Sequence, residues 1–274
     1  MSKLKYFFKK NKILIMIVLI ILVCSIAIAF GIYAQITNEG INKKNNEEEN
    51  TDYEDLKNNF QDIFTNAINK EVTAKLDYNY DELLYLKYDI KDEKTGRYSV
   101  TAKIPGFKEE TETLKKINEE IYDIFATELI KIANDTSTNS TLNLDYVGYV
   151  NNNIISLVIM CKYKKGANAQ RRIVQTYNYD IENDKILTIQ DIIEYKGLNK
   201  EEMKKKIDKE IKDANSQSKT IAEQGFNVYI RDELSEIYEV ENTPNFFLGK
   251  NNYLYLVYAY GNNNYTDAID LVIF

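Results

Sequence analysis

The sequence predicts an α+β fold, in which an N-terminal transmembrane helix precedes a mainly antiparallel sheet with packed helices. Three observations support this prediction. Residues 13–34 form an apolar run without a charge. Beyond it, segments with strand patterns follow one another at hairpin distances. Two longer stretches with helical spacing of apolar residues are grouped among these strands and do not alternate regularly with them.

The apolar run 13–34, ILIMIVLIILVCSIAIAFGIYA, is about 33 Å long as a helix and spans a hydrocarbon core of about 30 Å. Five lysines precede it: Lys3, Lys5, Lys9, Lys10 and Lys12. By the positive-inside rule, residues 1–12 are a cytoplasmic basic segment and the rest of the chain is exported. We therefore expect a single-pass protein of the cell membrane with an extracytoplasmic C-terminal domain. The basic segment is too short to fold alone.

Two alternatives to an anchor concern the same run. A cleaved signal peptide has an apolar core of about 7 to 15 residues, and this one is longer. Ala27-Ile28-Ala29 nevertheless fits a small-x-small cleavage site, so cleavage stays open. A lipoprotein would need a small residue before its cysteine, whereas Val23 precedes Cys24. The uncleaved anchor is the preferred interpretation.

The exported part begins with a polar linker, residues 35–52, which holds the domain away from the membrane. Apolar residues at helical spacing then predict a short helix within 53–67. Residues 83–90 and 96–107 are predicted strands, and Pro105 is expected to end the second one.

A long helix is predicted over 109–133. Its apolar stripe is Leu114, Ile117, Ile121, Ile124, Phe125, Leu129 and Ile132. Two strands, 140–150 and 153–164, follow around the turn Asn151-Asn152-Asn153. The second strand is apolar on both faces, which predicts a central position in the sheet.

Residues 171–181 and 185–189 are predicted strands around a polar turn, with Tyr177 and Tyr179 on one face. The alternation of a strand sends Arg171 and Arg172 to opposite faces, so we expect each to be solvated or paired with an acid.

A helix over 199–223 follows, with Asn199 as N-cap and Glu202 completing a capping box. One face of this helix carries Met203, Ile207, Ile211 and Ala214. Three further strands are expected in residues 245–274.

Several kinds of chemistry are excluded by composition. The chain has no histidine, which excludes a Ser-His-Asp triad, a Cys-His pair and histidine-bound metals. Cys161 is the sole cysteine outside the apolar run and is expected to be a buried thiol. No nucleotide-binding or hydrolase motif is present. The net charge of −7 argues against nucleic acid as a partner. We predict no cofactor and no metal site.

Carboxylates are the remaining acid–base candidates near strand ends: Asp145, Asp180, Asp191, Glu194, Asp267 and Asp270. A glycosidase needs two of them across a sugar cleft, and their spacing selects no pair. The stretch GNNNYTD, 261–267, has calcium-binding residue types without the spacing of an EF-hand. We therefore predict that the protein is not an enzyme, with a carboxylate-dependent cell-wall glycan hydrolase as the alternative.

A ligand-binding surface is predicted around the last turn of the chain. Tyrosine supplies rigid aromatic area and asparagine adaptable hydrogen bonds, a combination suited to protein or glycan recognition. Core packing of the strand tyrosines is the competing interpretation. The candidate residues are Tyr258, Tyr260, Asn262, Asn263, Asn264 and Tyr265. Tyr253 and Tyr255 are expected on the strand face opposite Tyr258 and Tyr260.

The segments YSVTAKIPGF (98–107), KKINEEI (115–121) and NIISLVIMCKY (153–163) resemble the extracytoplasmic domain DUF4163. The segments QTYNYDIENDKILTIQDII, NFFLGKNNYLYLVYAYGNN and DAIDLVIF resemble its companion domain DUF3298. The resemblance divides the exported part into a DUF4163-like part, 53–152, and a DUF3298-like part, 153–274, which together form either two domains or one.

In bacilli this pair of domains forms the outer part of the anti-sigma-V factor (RsiV-like proteins), which binds lysozyme. The pair also precedes a catalytic module in some peptidoglycan deacetylases. The resemblance thus implies a binding or sensing domain at the bacterial cell envelope, for a lysozyme-like protein or a peptidoglycan fragment. Residues 1–12 are too few to hold a sigma factor, and no deacetylase module is expected after Phe274. Asn168 stands where related domains often have a histidine.

Overall fold

Residues 83–108, 110–135 and 139–274 are described by the structure, a computed structural model. The predicted anchor, linker and first helix fall within residues 1–82 and so lie outside the described residues. Within the described ranges, none of the helices is both long enough and apolar enough to cross a bilayer.

Nine strands and four α-helices make up the described part of the chain. The helices are α1 (Glu112–Ile121), α2 (Thr127–Asn134), α3 (Ile189–Lys196) and α4 (Lys200–Glu223), with a π-helical turn (Tyr122–Ala126) between α1 and α2. The strands are β1 (Leu84–Lys94), β2 (Tyr98–Phe107), β3 (Ser140–Asn151), β4 (Ile154–Lys165), β5 (Arg171–Asp180), β6 (Lys185–Ile186), β7 (Asn245–Leu248), β8 (Leu254–Ala259) and β9 (Ile269–Ile273).

The strands form two sheets, one of six strands in the order β1-β2-β3-β4-β5-β6 and one of three in the order β7-β8-β9. Every neighbouring pair is antiparallel except β2 and β3, which run parallel. The chain between β2 and β3 contains α1 and α2, and such a long connection is what a parallel pair requires. The predicted α+β class with a mainly antiparallel sheet is confirmed.

Strand β4 is the centre of the larger sheet, as its apolar sequence predicts. It pairs with β3 from Ile154 to Lys165 and with β5 from Ile154 to Tyr163. Its first eight residues are all buried. Asn152, in the turn before it, has a φ of 52°, a conformation that asparagine tolerates well. The proposed division at 152/153 falls in this turn, between two strands of one sheet, and stays a prediction.

The region after β5 differs from the prediction. Residues 185–189 were expected to be a strand, but β6 ends at Ile186 and a helix begins at Ile189. The Thr188 hydroxyl accepts a hydrogen bond from the Asp191 backbone at 3.2 Å, and the Asp191 carboxylate accepts one from the Thr188 backbone at 2.7 Å. This capping box starts α3 and outweighs the strand-like run of β-branched residues.

Two smaller predictions near α1 are also wrong. Ile124, expected in the apolar stripe, is 36% exposed, because the π-helical turn shifts the residues that follow relative to a regular helix. Pro105 does not end β2, which continues to Phe107. Proline is accommodated there because the pairing with β3 ends at Ala102 and the register to β1 shifts between Leu86 and Tyr88.

Each sheet has its own apolar core. The first core lies between the larger sheet and the helices α1 and α2, and it includes Tyr177 and Tyr179, which share a face as predicted. The second core joins the three-stranded sheet to α3 and α4. Asn199 caps α4 as predicted, but the fourth buried residue of its inner face is Asn215 and not Ala214.

Buried polar contacts connect the two sheets. The Ser156 hydroxyl donates to the Asn178 side chain at 2.6 Å and accepts from the Leu248 backbone at 3.1 Å. The Asn178 amide donates to the Phe246 carbonyl at 2.8 Å. The three-stranded sheet is thereby held against β4 and β5, and this places the turn after β8 beside the start of β5.

Candidate functional site

The two tyrosines predicted at the end of β8 belong to the second core. Tyr258 is 1% exposed and Tyr260 5% exposed. On the opposite face, as predicted, Tyr255 stacks on Phe247 with ring centroids 4.6 Å apart. Both faces of β8 are thus covered, and neither Tyr258 nor Tyr260 offers its ring to a ligand.

The turn after β8 is fixed to the edge of β5. The Asn262 side chain accepts from the Val174 amide and donates to the Val174 carbonyl, both at 3.0 Å, as a neighbouring strand would. Gly261 packs so tightly on β5 that a Cβ there would lie 2.3 Å from the Arg172 carbonyl oxygen. The turn therefore continues the sheet edge and is not a free loop.

The two arginines of β5 hold this turn from opposite sides. The Arg171 guanidinium donates to the carbonyls of Gly261, at 2.8 Å, and Asn262, at 3.0 Å. It also lies 5.3 Å from the centroid of the Tyr265 ring, a cation–π contact. Arg172 forms a bidentate ion pair with Asp267 at 2.7 and 2.6 Å. The expectation that the two arginines diverge is confirmed, and Arg172 pairs with an acid as expected, whereas Arg171 binds backbone carbonyls and a tyrosine ring and no acid.

Three of the six predicted residues face solvent, and we call them the recognition tip: Asn263, Asn264 and Tyr265. Tyr265 is 45% exposed while its ring is held by Arg171. The tip presents aromatic area and side-chain amides, and the backbone of the turn that carries them is already held against β5. Such a surface makes hydrogen bonds and stacking contacts with a protein or a sugar at a small entropic cost.

A buried polar network lies directly beneath the tip. The Tyr260 hydroxyl donates to the Asp270 carboxylate at 2.6 Å, and the Tyr238 hydroxyl lies 2.6 Å from the Tyr260 hydroxyl. Asp270 also forms an ion pair with Arg231, in which Nη2 donates at 2.7 Å. The Tyr229 ring stacks on Tyr260 with centroids 4.4 Å apart.

The network determines the charge state of its members. Burial raises the pKa of Tyr260, and the charge and hydrogen bond of Asp270 raise it further. Burial lowers the pKa of Arg231, but the hydrogen bond and charge of Asp270 more than reverse this, so the pKa is raised overall. Tyr260 is therefore a neutral donor and Arg231 a fixed cation. Sequence reasoning missed Arg231, because it lies in an irregular segment 39 residues from its partner.

The carboxylates considered for acid–base catalysis have structural partners. Asp267 and Asp270 bind arginines, and Asp191 caps α3. Asp180 accepts two backbone hydrogen bonds in the turn after β5, and Glu194 accepts from Gln190. Burial raises the pKa of Asp145. In the ranges that the structure describes, no group of three potential metal ligands comes together.

The sole described cysteine, Cys161, lies in the first core as predicted. Burial raises the pKa of its thiol to about 12, so the thiolate that a nucleophile requires is not formed near neutral pH.

A shallow cleft lies beside the π-helical turn. Its lining combines two lysines with two acids. The Asn118 side chain accepts a hydrogen bond from the Phe107 amide and donates one to the Phe107 carbonyl. The mixed charges favour no single class of ionic ligand. The lining residues are Lys87, Lys115, Asn118, Glu119, Tyr122 and Asp123.

No family model matches the chain, and no curated protein matches it. Two solved structures similar to this chain are DUF3298 family proteins. One, from Pseudomonas aeruginosa PAO1, has a TM-score of 0.40 and 16% identity over 66% of this chain and 83% of its own. The other, from Bacteroides fragilis NCTC 9343, has a TM-score of 0.33 and 11% identity over 64% of this chain and 81% of its own. At such TM-scores the likeness supports no inference about ligand or activity.

Proposed function

We propose that this protein is a non-catalytic binding domain of the bacterial cell envelope, anchored by residues 13–34, whose recognition tip contacts a lysozyme-like protein or a peptidoglycan fragment. We further propose, from the sequence segments that resemble them, that the exported part is a DUF4163/DUF3298 pair of the RsiV-like type. The observation that supports the binding proposal is that the backbone of the turn carrying the tip is held against β5.

The contacts between the turn and β5 explain why we place binding at this turn. Arg171 and Asn262 hold the backbone of the turn against β5, so the tip does not need to be ordered when a ligand arrives. Tyr265 keeps nearly half of its surface in solvent. An exposed aromatic ring on a rigid base is typical of the anchor residues of binding surfaces.

The non-catalytic assignment rests on the state of the candidate groups. Five of the six acids considered for catalysis take part in ion pairs, a helix cap, a turn or a side-chain contact on α3, and the sixth, Asp145, accepts a hydrogen bond from the adjacent Tyr146 amide at 3.0 Å. The buried Tyr260 and Cys161 keep their protons at neutral pH, because burial raises both pKa values. A glycan hydrolase is the alternative that the experiment below must distinguish.

Binding is tested with the full-length chain in detergent micelles, titrated separately with lysozyme and with purified muropeptides. We expect one of these ligands to bind without being consumed. Replacement of Tyr265 by Ala should weaken that binding at least about tenfold, since an aromatic anchor contributes 1.4 kcal/mol or more. Tyr88→Ala is the matched control, because Tyr88 is a similarly exposed tyrosine on β1.

Two results would contradict the proposal. One is equal binding by the wild type and Tyr265→Ala, which would place the ligand elsewhere. The other is turnover of peptidoglycan that a single Asp→Asn change abolishes, which would establish the hydrolase.

The proposed location has a separate test. Protease added to intact bacterial cells should digest a tag placed after Phe274 and spare a tag placed before residue 1, because the domain is exported and the N-terminus is not. Both tags should fractionate with membranes. Release of the domain into the medium would instead indicate cleavage at Ala27-Ile28-Ala29.

A further inference from the structure

A second exposed surface lies in the segment that follows α4. Phe226 is 64% exposed, Ile230 44% and Leu234 93%, within nine consecutive residues. Single exposed apolar side chains are common on protein surfaces, but three large ones on one short segment are not. We call residues 224–235 the docking loop.

The docking loop is attached to the fold through Arg231. The Arg231 guanidinium points inward, where it binds Asp270 and donates to the Ser218 hydroxyl at 2.6 Å. Its backbone amide donates to the Asn215 side chain at 2.9 Å. Because Arg231 is fixed on the inner side, its neighbour Ile230 is directed to solvent. The docking loop is therefore fixed to α4 and β9 at Arg231.

Acidic residues are frequent in the sequence in and around the docking loop. Residues 223–241 contain six carboxylates and one arginine, a formal net charge of −5. Three of the carboxylates are paired with lysines of α4, through Glu233–Lys219, Glu239–Lys204 and Glu241–Lys200.

The other three carboxylates, Glu223, Asp232 and Glu236, are exposed, and the part of the chain that the structure describes gives them no ion pair. Arg231 does not offset them, since Asp270 already neutralises it. In the sequence, the apolar residues of the docking loop thus lie between three carboxylates without an ion pair in the described residues, and we call these three carboxylates the rim.

The charge of this rim decides which partner fits. A second copy of the chain would bring two acidic rims together, and like charges at an interface are unfavourable. A bacterial membrane surface is anionic and attracts basic segments, so it would repel this loop. A protein with a positively charged surface around an apolar patch fits both features.

We propose that the docking loop binds a cationic protein, with Phe226 and Leu234 as apolar anchors and Glu223, Asp232 and Glu236 as the steering rim. This inference goes beyond the proposed function, because it concerns a different surface from the recognition tip and specifies the charge of the partner. The apolar anchors supply affinity, and the acidic rim accelerates association and rejects anionic proteins.

The test uses the full-length chain in detergent micelles with three probes: lysozyme, cytochrome c and succinylated lysozyme, whose lysines carry negative charge. Phe226→Ser/Leu234→Ser removes the anchors, and Ile130→Ser is the matched control, since Ile130 is a 52% exposed residue of α2. We expect at least one cationic probe to bind, the anchor variant to bind it at least about tenfold more weakly, and the control to bind normally. Succinylated lysozyme should not bind.

Glu223→Lys/Glu236→Lys should slow association and flatten its dependence on ionic strength. All variants change exposed side chains, so their melting temperatures should match the wild type.

The inference is overturned if neither cationic probe binds at low ionic strength, or if the anchor variant binds as well as the wild type. Self-association, or contact of the exported domain with phosphatidylglycerol membranes, that the Phe226→Ser/Leu234→Ser variant abolishes would assign the docking loop to a second copy or to a lipid surface and also overturn the inference. If Tyr265→Ala abolishes binding of a probe but Phe226→Ser/Leu234→Ser does not, this inference is refuted and the proposed function is supported. The reverse pattern would support this inference and refute the role of the recognition tip.

Discussion

Replacement of Asp270 by Asn tests the buried network beneath the recognition tip. The side chains of Arg231 and Asp270 are only 8% and 9% exposed. The substitution leaves the arginine buried without its counter-charge, which costs about 3–5 kcal/mol in comparable pairs. Since a domain is stable by about 5–15 kcal/mol, we expect the free energy of unfolding to fall by a large fraction.

Urea unfolding of the full-length chain measures this loss. The chain has 22 tyrosines and no tryptophan, so tyrosine fluorescence and circular dichroism are suitable signals. The ion pair between Arg172 and Asp267 provides the comparison, because it has the same bidentate geometry but a carboxylate that is 41% exposed. Water can replace that carboxylate in part, so Asp267→Asn should cost less, about 1–2 kcal/mol.

A double variant completes this experiment. Arg231→Met/Asp270→Leu removes both charges and should be more stable than Asp270→Asn, because no buried charge is left unpaired. The reasoning is refuted if Asp270→Asn costs less than Asp267→Asn. It is also refuted if the double variant loses as much stability as the two single substitutions together.

Three further predictions concern other parts of the fold. Gly261→Ala should lower the unfolding free energy by about 2 kcal/mol or more, measured by urea unfolding, because its Cβ would meet the backbone of β5. Contacts with Lys185 and Thr188 hold the pKa of Asp191 at about 2, below its ordinary 3.8. Asp191→Asn should therefore cost about 1 kcal/mol at pH 7, and this difference from the wild type should decrease as the pH falls from about 5 and disappear at about pH 1, below the folded-state pKa. Cys161 should react with iodoacetamide only when the domain unfolds, as followed at pH 8 by mass spectrometry of the peptide that contains it; rapid labelling of Cys161 in the native protein would contradict its burial.

The sequence was most informative where apolar spacing distinguishes a strand from a helix. The two-sided apolar run of β4 indicated a central strand, and the spacing along α4 indicated one buried face. The spacing was ambiguous after β5, where Ile186, Ile189, Ile192 and Ile193 suit either structure. The Thr188–Asp191 capping box was the signal that could have decided for a helix, because only a helix start needs that reciprocal pair.

Two of the six predicted site residues, Tyr258 and Tyr260, are buried for a different reason. Strand alternation correctly separated Tyr255 from Tyr258, but it does not identify which face meets solvent when both faces are covered. Strand β8 lies between two other strands, with α4 in the second core on one side and Phe247 on the other. The turn residues Asn263, Asn264 and Tyr265 were placed better, because a turn beyond a central strand must reach the surface.

Tyr260 connects the two surfaces proposed here. It begins the turn that carries the recognition tip, and its ring and hydroxyl contact Tyr229 and Asp270, which fix the docking loop through Arg231. The docking loop is held by this network through Arg231, whereas the recognition tip is held by Arg171 and Asn262 on β5 in addition to Tyr260. A change at Asp270 should therefore weaken binding at both surfaces, whereas changes at Tyr265 or Leu234 should each affect one. This difference separates residues that hold the binding surfaces from residues that form them.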